Sequence, residues 1–111
     1  MRTLIFLLLV IYSAKADELF RDEHQGHRYI FESDHKGVEA TVSEAEALEL
    51  ATDWAVDFYG DDSLEPSDIE FRINPIRYWL VTFTQPGTDE AFYAVTLPDG
   101  TVVQPREEDK I

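Results

Sequence analysis

The sequence predicts an α+β domain in which one amphipathic helix packs across an antiparallel β-meander of about four strands, with a short hairpin ahead of it. Three observations carry that expectation. Ser43 and Glu46 form a capping box that opens a segment with a single apolar stripe. Ile69, Phe71 and Ile73 then alternate with Glu70 and Arg72, the pattern of a half-buried strand. The stretch YWLVTFTQPGTDEAFYAVTLPDGTVVQP, Tyr78 to Pro105, reads as three further short strands with turn residues at both breaks. Connections this short require antiparallel neighbours, and a run of strands after one helix belongs to the α+β class.

The elements follow in order. Residues 1–16 have the pattern of a signal peptide: Arg2, the apolar run Leu4 to Tyr12, and Ala14-Lys15-Ala16 as an A-x-A cleavage site before Asp17. That run is shorter than the roughly 20 apolar residues needed to span a hydrocarbon core, so an uncleaved anchor is the competing reading. Residues 17–27 are polar and show no period, which predicts a mobile lead-in. Tyr29, Ile30 and Phe31 predict a short strand, Asp34 to Gly37 a turn, and Val38, Ala40 and Val42 a return strand. In the helix, Ala47, Ala51, Trp54 and Phe58 build the stripe, flanked by Leu48, Leu50 and Ala55, and Gly60 ends it. Strands are expected over 69–73, 76–84, 91–97 and 101–104, separated by Pro75, Pro86-Gly87 and Pro98-Asp99-Gly100. The domain then spans residues 28–105, with 106–111 as an acidic tail.

The helix from a Ser-Glu-Ala start, its terminal glycine, a first strand, YWLVTF and then EAFYAVTLPDGTVVQP together resemble a PepSY domain over residues 42–105. The resemblance is one of layout. It implies a small exported unit of the kind found in propeptides of thermolysin-like metallopeptidases, for which modulation of peptidases is the expected role. The acidic loop Asp61 to Ser67, the Asn74-Pro75 break and the N-terminal segment depart from the simplest form of that pattern.

Charge narrows the partners. The chain has 9 Lys and Arg against 23 Asp and Glu, a formal charge of −14. Removing residues 1–16 takes away Arg2 and Lys15 and no acid. A field of that sign repels phosphate backbones and anionic headgroups, which disfavours nucleic-acid and membrane-surface binding. It can steer a basic partner, or serve only to keep the domain soluble. With no cysteine, the chain has neither a disulfide staple nor a thiol nucleophile.

No G-x-S-x-G elbow, phosphate-binding glycine loop or H-E-x-x-H pair is present, so the sequence predicts no enzyme and no cofactor. His24, His27 and His35 are the weak candidates for metal ligation, against the plainer reading of a solvated polar segment. Asp57, Asp61, Asp62 and Glu65 read as a solvated acidic cap at the helix end rather than a catalytic group. Neither face of the strand around Tyr78 is cleanly polar. Trp79, Val81 and Phe83 are expected to join Tyr93, Val95 and Leu97 beneath the helix, leaving Tyr78, Leu80, Phe92 and Thr96 on the opposite face. That second face either binds a protein partner, forms a homodimer, or is covered by the N-terminal hairpin through Tyr29 and Phe31. The functional expectation is an exported, periplasmic or extracellular, non-enzymatic binding or regulatory module that contacts a peptidase or another envelope protein. A self-associating structural subunit is the alternative, and a small enzyme using the acidic loop the third.

Overall fold

Strands built from β-branched and aromatic residues dominate the computed structural model, which describes residues 17–24, 26–33 and 42–108. The order is β1 (Asp17–His24), β2 (His27–Ser33), α1 (Glu44–Tyr59), β3 (Glu65–Arg72), β4 (Tyr78–Thr84), β5 (Ala91–Thr96), β6 (Val102–Val103) and β7 (Pro105–Glu107). A four-stranded sheet, β3-β4-β5-β6, and a three-stranded sheet, β1-β2-β7, contain only antiparallel pairs. The helix packs on one face of the larger sheet and the smaller sheet covers the other. The expected α+β class therefore holds, with a sandwich in place of a bare meander.

Local chemistry sets the helix ends. The Ser43 hydroxyl accepts from the Glu46 amide at 3.2 Å while the Glu46 carboxylate accepts from the Ser43 amide at 2.8 Å. Gly60 stops α1 at φ 70°, a left-handed geometry that costs a residue with a Cβ conformational energy. Ala47, Ala51 and Ala55 are fully buried, and their small side chains let the helix backbone lie close to the sheet. The stripe is thus turned from the expected one, with Ala55 in the core and Leu50 and Phe58 partly exposed.

Strand register decides which residues share a face. Trp79 lies opposite Thr96, Val81 opposite Ala94, and Phe83 opposite Phe92, and directly opposed residues project to the same side. Beneath the helix are therefore Val81, Phe83, Phe92, Ala94 and Thr96, whose hydroxyl donates to the Ala47 carbonyl at 3.4 Å. Tyr93, Val95 and Leu97 lie on the other side with Tyr78 and Leu80, against Leu19 and Phe31 of the smaller sheet. The expected pairing of Trp79 with the Tyr93, Val95 and Leu97 set is corrected by one residue: odd positions of β4 face even positions of β5, and a shift of one moves every side chain to the opposite face.

The segment expected as a mobile lead-in is β1. Its register shifts between Glu18 and Phe20, and the extra residue lets both Leu19 and Phe20 pack inward. Asp22 lines the space between the sheets, whereas Glu18 and Arg21 belong to the outer face. There Ile30, opposite both Arg21 and Arg106, is only 4% exposed, and Arg21 pairs with Glu18 and Glu108 while Arg106 pairs with Glu32. The residues expected to begin an acidic tail instead supply β7, and the Glu108 amide donates to the Arg28 carbonyl at 2.7 Å. A hairpin joins β1 to β2. The turn and most of the return strand expected over 34–42 lie outside the described residues, as do residues 1–16 and 109–111.

Candidate functional site: an aromatic cleft with an acidic rim

Tyr78, Leu80, Phe92 and Thr96, expected on an uncommitted face, are 1, 4, 7 and 0% exposed. The smaller sheet covers Tyr78 and Leu80, and the helix covers Phe92 and Thr96, so these four do not form a surface. The cover is the N-terminal hairpin, acting through Leu19 and Phe31. The Tyr78 hydroxyl fastens it by donating to the Leu19 carbonyl at 2.9 Å.

Where the two sheets and the end of α1 meet, they leave a cleft of about 620 Å³. That volume lies in the ordinary range for ligand sites. Its walls are aromatic because each bounding element contributes aromatic residues: Phe58 and Tyr59 close α1, Phe92 and Tyr93 open β5, and Tyr29 and Phe31 come from β2. Tyr59 meets Phe92 edge-on at 5.1 Å between ring centroids, and the His24 ring sits against Phe92 at 4.6 Å. Trp54 stacks on Phe58 at 4.7 Å and extends the apolar wall outward along the helix.

The polar groups are few and directed. Tyr59 donates its phenolic proton to the Tyr93 carbonyl at 2.7 Å, and burial pushes its pKa up to about 12, so it stays neutral. Burial also raises the Tyr93 phenol, with the Asp22 charge adding to the effect. Asp61 accepts from the hydroxyl and amide of Ser63, at 2.6 and 2.9 Å, and from the Gln85 amide group at 2.5 Å. Those bonds hold its carboxyl below the usual range and keep the charge in place. The charged residues lining the cleft are Asp22, Asp61 and Glu90; among the described residues no lysine or arginine lines it. Aromatic faces attract a cation, and three carboxylates with no opposing base add to that attraction.

Of the acids expected at the helix end, Asp61 alone reaches the cleft; Asp57, Asp62 and Glu65 do not line it. His24 and His27 face each other across the hairpin, but their rings take separate partners, His24 against Phe92 and His27 bonded to Glu107. His35 lies outside the described residues, and among those described no group of three or more His, Cys, Asp or Glu is arranged to hold a metal ion. Sequence reasoning missed Asp22, Tyr59, Gln85, Glu90 and Tyr93 as site residues. The consecutive aromatic pairs Phe58-Tyr59 and Phe92-Tyr93 are the signal that could have found them. Among the described residues no helix is long and apolar enough to cross a membrane. No protein-family model matches this chain, and neither does any of the curated proteins or solved structures compared with it.

Proposed function

We propose that this protein is a small, exported, non-enzymatic binding or regulatory module that engages a protein partner through the aromatic cleft. One observation carries the reading: an open, aromatic-walled concavity whose charges are all of one sign. Two polar groups of the cleft already have partners within the fold, the Tyr59 phenol donating to a backbone carbonyl and the Asp61 carboxylate accepting from Ser63 and Gln85, which favours recognition over turnover. The PepSY-like layout adds the expectation that the partner is a peptidase or another envelope protein. Affinity capture with the exported chain tests this, using a Phe58→Ser, Glu90→Gln variant as the control. Phe58 is 40% exposed, so the variant keeps the core. A partner recovered by the parent chain and lost by the variant is expected. Identical recoveries from both would overturn the reading.

Self-association is the second reading, and it rests on a different surface. Phe71 on β3 and Ile73 just beyond it are 40 and 64% exposed, and Phe71 meets partly buried Trp79 at a tilt, 4.7 Å between ring centroids. A strand edge beside exposed apolar rings is a site where a second chain can add. Sedimentation across a concentration series tests it, with Ile73→Lys expected to abolish any dimer.

A further inference from the structure

The cleft carries more than a general preference for protein, and its finer selectivity rests on the protein-partner reading. β6 pairs with β5 only at Val95 and Thr96. Among the described residues the Ala91–Ala94 part of β5 therefore has β4 as its sole strand neighbour, and its other edge runs along the cleft that Ala91, Phe92 and Tyr93 line. On that edge the Tyr93 carbonyl accepts from a side chain, the Tyr59 phenol, where an added strand would supply a backbone N–H. An open strand edge beside a pocket is the arrangement that accepts an extended peptide, the edge supplying affinity and the pocket choosing the side chain.

We infer that the cleft receives an extended segment of a partner polypeptide along the Ala91–Ala94 edge and takes one of its lysine or arginine side chains between the aromatic walls, with the charged head toward Asp22, Asp61 and Glu90. A basic side chain has the matching anatomy, an apolar stem of methylenes ending in a cation. The walls around Tyr59 and Phe92 suit the stem, and the rim suits the head. A free small cation would use the rim and leave the walls and the strand edge unfilled. An acidic or neutral segment would meet three carboxylates with nothing to offset them.

Nitrogen-15 correlation spectra of the full exported chain, titrated with blocked five-residue peptides, test this. The central residue is lysine, arginine, the neutral isostere norleucine, or glutamate, between alanines and valines, with tetramethylammonium as the free cation. Lysine and arginine peptides are expected to shift signals from residues 22–24, 58–61 and 90–93 and to bind at least about tenfold tighter than norleucine, a ratio that one desolvated cation–π contact can supply. Asp22→Asn and Glu90→Gln, with melting temperatures unchanged, should each weaken binding several-fold. Equal affinity for norleucine, shifts confined to another surface, or tetramethylammonium binding as tightly as the lysine peptide would each overturn the proposal. The two readings fail separately. Basic peptides that bind while no partner depends on the cleft would defeat the protein-partner reading and leave this site standing. A partner that depends on the cleft, with basic peptides inert, would defeat only the basic side chain.

Discussion

Tyr78 and Trp79 are neighbours on one strand, and replacing them should reveal which face of the larger sheet is sealed more tightly. Tyr78 is 1% exposed and packed between the sheets, whereas Trp79 is half-buried beside Phe71. Emptying the Tyr78 site with alanine is expected to cost about 3–5 kcal/mol, the usual loss for a buried aromatic. Trp79→Ala should cost less, because Trp79 is only partly buried and keeps some contact with water. Tyr78→Phe isolates the hydroxyl. It removes the donor to the Leu19 carbonyl and leaves that oxygen unsatisfied between the sheets, which costs about 1–3 kcal/mol. For a domain of this size each kcal/mol moves the melting temperature by roughly 4–8 °C, so the phenylalanine variant should melt about 8–16 °C lower for a mid-range loss. Urea denaturation followed by far-ultraviolet circular dichroism gives all three values. If Trp79→Ala proves costlier than Tyr78→Ala, or Tyr78→Phe melts with the parent, the smaller sheet does not cover this face and the core assignment fails.

Ser43→Ala removes one half of the capping box and is expected to cost about 1 kcal/mol by chemical denaturation, with Ser43→Asp restoring most of it. The raised Tyr59 phenol makes the folded state hold a proton that the unfolded chain releases near pH 10. Its contribution is therefore fully present below about pH 10 and declines by up to roughly 1.4 kcal/mol per pH unit until about pH 12. Denaturation between pH 9 and pH 12 should show this slope in the parent and a shallower one in Tyr59→Phe, where the raised Tyr93 phenol remains. A chelator is expected to leave the melting temperature unchanged, since among the described residues the core contains no histidine; a large drop that His24→Ala or His27→Ala suppresses would place a structural metal there.

Local chemistry is legible in the sequence, and pairing across long separations is not. Ser43, Glu46 and Gly60 announce the ends of α1 because capping acts within one turn. The strands at 69–72 and 78–84 show their own alternation. β1 is hidden because the extra residue at Leu19 breaks a period of two and because Glu18 and Arg21 serve an outer face of ion pairs. The two faces of β5 are exchanged because alternation gives a strand two sides without saying which side meets the helix. That choice depends on the Gln85–Glu90 connection and the pairing of Thr84 with Ala91. The cleft shares this fate: Phe92 stands out in the sequence, but for a sheet face, and its true neighbours Tyr59 and His24 lie on elements far from it in the chain.

The pairing of β2 with β7 has a kinetic consequence. Arg106 reaches Glu32 across 74 residues of chain, so the third strand of the smaller sheet is synthesised after the other described strands. Until it arrives, β1 and β2 form a two-stranded hairpin, which is marginal in water, and the β2 edge that β7 takes stays open. Closure of the sandwich must therefore wait for a contact of high sequence separation, the kind that slows folding and lengthens exposure of unpaired strand edges. The hairpin of β1 and β2 depends on β7, a strand made long after it, to complete its sheet.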